Sequence, residues 1–429
     1  MTPTLVDAPA PGPATFGVRS PAAAVRRSAV NPVVRAALYL FVTSIPFEMP
    51  NRPLPIEVPT LTGCVLLAAS LLEPRACFRR VPAAFVAFVA YLWVLAAGAV
   101  VNGVHYGPEL LKAFADLSEL CLVLWVAFNL FADERTVRGA LLAFGLACAA
   151  RAGLQVLGIA VTTLPVYASP MASAPSAYQV TVLGQNPNLT AMILSGGVLT
   201  LIGLASGPDR RFRRMGAVAW ALSAVVGLAL IQGGSRGGLL CALVGLAVLA
   251  WGRQGARNRL RNGGIALLAA GVLAWGAYAS PMMRQRLEQT ESGQLSGRTQ
   301  IYSLLMDMIR ERPLLGWGVV ANHYELGRRL DDPRYVSRDP HNLLLELLTG
   351  EGLLGSLPFV VAVLFCWAGA WRARAGPLGL LPLAFLAAQQ TGTMSGTWIE
   401  SKILWFAFAL ALAAGAHWAA PDPGAEAVG

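Results

Sequence analysis

The chain has 429 residues, of which 55% are hydrophobic and only 13% charged, with a mean hydropathy of +0.56. Soluble domains of this length are far richer in charge, so the composition excludes an ordinary soluble globular protein and points to a polytopic membrane protein. The net charge of +10 does not mark a nucleic-acid binder, because the basic excess sits in short loops between apolar spans, as the positive-inside rule requires.

In chain order, residues 1–30 are rich in Pro and Ala and read as a disordered cytoplasmic tail rather than a cleaved leader. Twelve candidate spans follow, over 33–47, 58–72, 82–102, 108–131, 136–160, 188–206, 214–232, 236–252, 263–280, 342–370, 377–394 and 401–418. Arginines gather in alternate connections: Arg75, Arg79 and Arg80; Arg135 and Arg138; Arg210, Arg211, Arg213 and Arg214; Arg253, Arg257, Arg259 and Arg261; Arg372 and Arg374. Each group lies two spans after the last, which places both termini, including a tail over 419–429, in the cytoplasm.

The same alternation puts residues 281–341 outside, as one large periplasmic loop between spans 1–9 (31–280) and spans 10–12 (342–418). This polar insert carries nine arginines against eight acids. From Arg298 to Glu311, Ile301, Leu304, Leu305 and Met308 recur at helical spacing, which predicts an amphipathic helix, capped by Ser296 and stopped by Pro313. The expected fold is therefore all-α, with about twelve transmembrane helices and amphipathic helices in the insert. The six cysteines show no metal-ligand spacing and read as small packing residues.

Three spans that run inward begin with well-formed helix starts: Asn186-Pro187-Asn188, Gly233-Gly234-Ser235-Arg236 and Asp339-Pro340-His341. Capping side chains, first-turn prolines and glycine nests leave N–H groups pointing outward, and helix N-termini favour anions. The starts form an anion site only if they converge in space. Arg236 adds a planar fork suited to phosphate, and its glycine flanks, Gly234 and Gly237, let a ligand come close; an isolated arginine there could equally snorkel to lipid headgroups. Arg298, at the start of the insert helix, is evenly balanced between a ligand and a solvated surface charge. His341 at a helix start would tend to stay neutral and able to act as a base, or be merely interfacial. His323 reads as more solvated; His105 and His417 have no charged neighbours in sequence. Arg151, inside a span without an opposite charge nearby, is a candidate additional phosphate ligand, whereas Lys112 and Asp116 neutralise each other.

At these residues the chain resembles the O-antigen ligase and polymerase superfamily of bacterial envelope glycosyltransferases. The resemblance lies in Ser235-Arg236-Gly237-Gly238, Ser296-Gly297-Arg298-Thr299-Gln300-Ile301-Tyr302, Arg312-Pro313-Leu314-Leu315-Gly316-Trp317-Gly318, Pro340-His341-Asn342-Leu343 and Glu351-Gly352-Leu353-Leu354-Gly355. It covers roughly residues 180–360 in order, and the first half matches only in general character. It implies a lipid-carrier glycosyltransferase fold that needs no metal or other cofactor, in the bacterial inner membrane with its active site on the periplasmic side. The implied donor is a glycan on undecaprenyl diphosphate. The implied acceptor is a hydroxyl of the lipid A core in a ligase, or a growing glycan in a polymerase. Carried over, Arg236 and Arg298 look like diphosphate ligands and His341 like the residue beside the acceptor, with Asn186, Asn188, Gly234, Ser235, Gly237 and Arg151 as candidate surroundings. Twelve spans also suit a transporter or flippase; the single large insert and the lack of a half-repeat count against it.

Overall fold

The computed structural model describes residues 30–49, 56–101, 106–166, 177–207, 214, 216–251, 256–291, 298–330 and 336–418. The expected tail over 1–30, except Val30, the tail over 419–429, the Ser296 cap and His105 lie outside the described residues.

The first half runs α1 (Pro32–Ser44), α2 (Val58–Ser70), a short α3 (Pro74–Cys77), α4 (Ala83–Val101), α5 (Gly107–Leu130) and α6 (Glu134–Val156). Strands β1 (Val161–Val166) and β2 (Ala177–Val182) pair antiparallel, Val161 opposite Val182. Then come α7 (Pro187–Ser206), α8 (Gly216–Gln232), α9 (Arg236–Ala250) and α10 (Ala256–Ala279). The polar insert folds as α11 (Pro281–Glu291), α12 (Arg298–Glu311) and α13 (Ala321–Leu330), and the chain closes with α14 (Leu343–Gly350), α15 (Gly352–Arg372), α16 (Leu381–Gly392) and α17 (Lys402–His417).

Among the described residues, four helices are long and apolar enough to cross a membrane: α4, α6, α7 and α15. Six shorter apolar stretches, in α1, α2, α8, α9, α10 and α17, accompany them. Two helices form the centre: α7 is buried over 89% of its apolar window, and α17 is buried from Lys402 to Ala414. Around them α4, α10 and α15 turn large apolar side chains outward, among them Trp93, Leu267, Trp275 and Leu364. Apolar side chains on the outside of an apolar bundle are what a hydrocarbon surround requires.

Glycine sets how closely α9 lies on α7. A Cβ at Gly238 would stand 2.1 Å from the Ala191 Cβ and 3.0 Å from its Cα, so the backbones approach as only small residues allow. Gly238→Val should therefore push α9 off α7 and lower the melting temperature of the purified protein by an amount equivalent to about 1–3 kcal/mol. Gly263→Ala, where a Cβ meets nothing within 4 Å, should leave the melt unchanged.

One expectation needs an addition and another a correction. The fold is mostly helical, as expected, but the residues after α6 leave the helix at Val156 and form the β1–β2 hairpin. The tenth span, expected over 342–370, is two helices broken at Glu351. The break is built by Gly352 at φ +66 and Gly316 at φ +63. Here the insert backbone lies directly on the break: Trp317 N donates to Thr349 O (2.8 Å), Gly318 N to Gly350 O (2.7 Å), Leu353 N to Pro313 O (2.8 Å) and Leu354 N to Leu314 O (3.1 Å). A Cβ at Gly352 would fall 2.4 Å from Leu314 C, so a side chain there cannot coexist with this stitching.

The expected amphipathic helix is present as α12, with Ile301, Leu305 and Met308 buried. They form a small core with Leu326 of α13. Arg329 ties the two helices, bonding Glu325 at 2.7 Å and Glu311 at 2.8 and 2.6 Å. Trp317 lies between Arg312 and Arg329, whose Cζ atoms are 4.1 and 5.1 Å from its ring. The hydrogen bond from Arg328, with that from Arg329, holds the Glu325 carboxyl down at about 2.

Candidate active site

The helix starts at α7 and α9 meet. Asn186 caps α7, its Oδ1 accepting from Asn188 N at 2.9 Å and Leu189 N at 3.4 Å. Ser235 caps α9, accepting from Gly238 N at 3.2 Å, and donates to Asn188 Oδ1 at 2.8 Å. Gly234, at φ +62, makes the turn into α9. Its carbonyl and that of Gly233 both accept from Gln179 Nε2 at 3.3 Å.

Two residues along β2, and so on the same face of the strand, Thr181 Oγ1 lies 3.4 Å from Arg151 Nη2. Arg151 is only 1% exposed. It also donates to Thr190 Oγ1 at 2.9 Å and Gln155 Oε1 at 3.4 Å. These partners are neutral oxygens, so a guanidinium stands buried beneath the joined starts of α7 and α9. It belongs to the cluster as a support, not as a group open to a ligand.

Arg298 and the immediate neighbours of Arg236 and His341 meet on a segment that the sequence did not mark, residues 393–397 between α16 and the 3₁₀ turn Trp398–Glu400. Arg298 Nη2 donates to Ser395 O at 3.1 Å. From the other side Gly237 abuts Ser395, a Cβ there lying 2.9 Å from Ser395 Oγ. Arg236 and Arg298 are thus brought within reach of each other's charge. Leu343 N donates to Thr393 O at 2.9 Å, and Thr397 Oγ1 donates to Asp339 Oδ2 at 2.7 Å. Asp339 Oδ1 in turn accepts from His341 N at 2.5 Å and lies 3.5 Å from His341 Nδ1.

His341 does not open a helix as expected. Asn342 is the cap of α14, accepting from Leu344 N at 3.0 Å and Leu345 N at 3.2 Å. His341 precedes it at φ +56, a left-handed conformation that is uncommon outside glycine and clusters at functional sites. Burial lowers its imidazole pKa below the usual 6.5; Arg338, Arg298 and His323 add to this and Asp339 opposes it. The ring is therefore neutral at pH 7, as its place near two arginines requires.

His323 is 30% exposed, yet it is paired rather than simply solvated. Its Nε2 lies 2.8 and 2.9 Å from the two Glu346 oxygens. The signal was present: Glu346 is a lone acid in an apolar stretch, and such a group needs a partner. Among the described residues, no three of His, Cys, Asp and Glu converge as a metal site would need.

Residues 218–360 match the family model described as O-antigen ligase. Over these residues, a third of its length, the chain is similar to the O-antigen ligase family. The matched segment holds Arg236, Arg298 and His341, and it contains the glycines that stitch the insert to the α14–α15 break. Comparison with curated proteins found no match. The family match points to ligase- or polymerase-type activity, and the apolar helices are consistent with a membrane protein.

Proposed function

We propose that the chain moves a glycan from undecaprenyl diphosphate to an acceptor hydroxyl of the lipid A core, at the periplasmic face of the bacterial inner membrane. The observation that carries this reading is the convergence on residues 393–397 of Arg298, of Gly237 next to Arg236, and of Asp339 and Leu343 on either side of His341. In this reading the membrane is crossed about twelve times, both termini are cytoplasmic, and residues 281–341 are periplasmic, as the arginine alternation requires.

The two guanidinium groups hold the diphosphate, and the joined starts of α7 and α9, with Asn186, Asn188 and Ser235, add outward N–H groups. Gly234 and Gly237 admit the phosphates close to the backbone. Arg151 supplies buried positive charge below them, acting through Thr190 and Thr181. The acceptor oxygen attacks the anomeric carbon while His341 takes its proton. The anomeric C–O bond breaks, its electron pair leaves with undecaprenyl diphosphate, and the configuration inverts. Asp339 beside Nδ1 keeps the proton there and leaves Nε2 as the basic atom. No metal is needed, because the arginines stabilise the leaving charge.

The pH profile follows from the lowered His341 value. The neutral ring is the active form and persists to below the ordinary 6.5, so kcat/KM should be flat through pH 7 and fall only at more acid pH. An acid limb centred above 6.5 would contradict His341 as the base. Growth of lipid-linked glycan without any core acceptor would instead make the acceptor a growing chain, as in a polymerase.

A further inference from the structure

The reaction as written leaves a second histidine of the insert unused. His323 lies on α13 and Glu346 in the first turn of α14, 7% exposed. Burial opposes a charge on His323, but the Glu346 carboxylate and its hydrogen bond, aided by Asp339 and Glu400, outweigh it and raise the imidazole to about 9. The pair is ionic at neutral pH.

The same helix grips the His341 turn from both sides. Arg338 N, upstream of His341, donates to His323 O at 2.9 Å. Downstream, Glu346 takes the His323 side chain at 2.8 Å, and Asn322 Nδ2 donates to Thr349 Oγ1 at 3.2 Å. His341, in its left-handed conformation, hangs between these anchors.

We infer that His323 and Glu346 are positioning residues for glycan transfer: their side-chain pair ties α13, which also holds the backbone at Arg338, to the start of α14, and so fixes the turn that carries His341. The inference deepens the proposed function and rests on His341 serving as its base. The charged groups around His341 are Asp339, Arg338, Arg298 and His323; those around His323 are Glu346, Asp339 and Glu400 on other segments, together with His341. The arginines stay charged at every working pH, so His323 is the neighbouring cation that titrates. While it is charged, a second imidazolium is disfavoured, and His341 stays neutral to lower pH. Because the His323 value is raised, the pair's contribution to stability is fully present below the ordinary 6.5 and is lost as pH rises through about 9.

The chain has four histidines, so ring-labelled histidine NMR of the full-length protein in detergent can follow each one. His323→Gln and His341→Gln assign the two signals. In the wild type, one signal should titrate near 9 and the His341 signal below 6.5. In His323→Gln the His341 midpoint should move up, and in His323→Lys, which keeps a cation, it should stay. In the transfer assay, His323→Gln and Glu346→Gln should lose about 10–100-fold in kcat with donor KM little changed. His323→Lys should retain the wild-type acid limb. A His341 midpoint unmoved in His323→Gln, or equal rate losses in the Gln and Lys variants, would overturn the inference. A wild type that transfers no glycan would count against the proposed function, while the titrations still decide the coupling.

Discussion

Replacing His341 with alanine should lower kcat for glycan transfer by about 10²–10⁴-fold, the range lost when a positioned base is removed. The melt should change little, because the ring is 29% exposed and its backbone N–H remains to bond Asp339. The donor should still bind, since the arginines are untouched. Alanine also relieves nothing at φ +56, so the turn is kept by Asp339, Asn342 and the contacts of residues 393–397. A variant with normal transfer rates would make His341 a residue of the interface and nothing more. The purely structural reading, in which the arginines anchor the protein at the membrane surface, makes that opposite forecast.

The second large effect is at the arginines. Arg236→Ala removes a planar donor next to the cap of α9 and should lower kcat/KM by about 10²–10³-fold, the equivalent of 3–4 kcal/mol for a well-placed donor. Arg298→Lys is the sharper variant, because it preserves the charge and loses the fork. Arg298 both reaches Ser395 O at 3.1 Å and lies within range of the Arg236 and His341 charges. A single ammonium cannot serve Ser395 and a diphosphate with the same geometry. A loss of about tenfold or more with unchanged expression would show that shape as well as charge is required. Equal activity in Arg298→Lys would reduce its role to a diffuse positive field.

What the sequence disclosed follows from which forces are local. The α12 helix was legible to its end residues because Ile301, Leu305 and Met308 repeat at helical spacing. The starts of α7 and α9 were legible because Asn186 and Ser235 cap within three residues of themselves. The α14–α15 break was not. The residues around Glu351-Gly352 are apolar enough to continue a helix, and the break exists because the irregular insert segment 313–318 lies on it. Nor could local pattern reveal the hairpin after α6, whose polar face, Gln179 and Thr181, gains meaning only from Gly233 and Arg151. The meeting of Arg298 and Asp339 at residues 393–397 depends on contacts 97 and 58 residues apart in sequence. The pairing of His323 was missed for the same reason, its partner lying 23 residues away.

The most direct test of the central claim uses the purified full-length protein, a glycan on undecaprenyl diphosphate and lipid A core, with products read by mass spectrometry. The account predicts glycan joined to the core with release of undecaprenyl diphosphate, abolished in both Arg236→Ala and His341→Ala. Transfer that persists in either variant, or folded wild-type protein that forms no glycosidic bond with any acceptor, would contradict it.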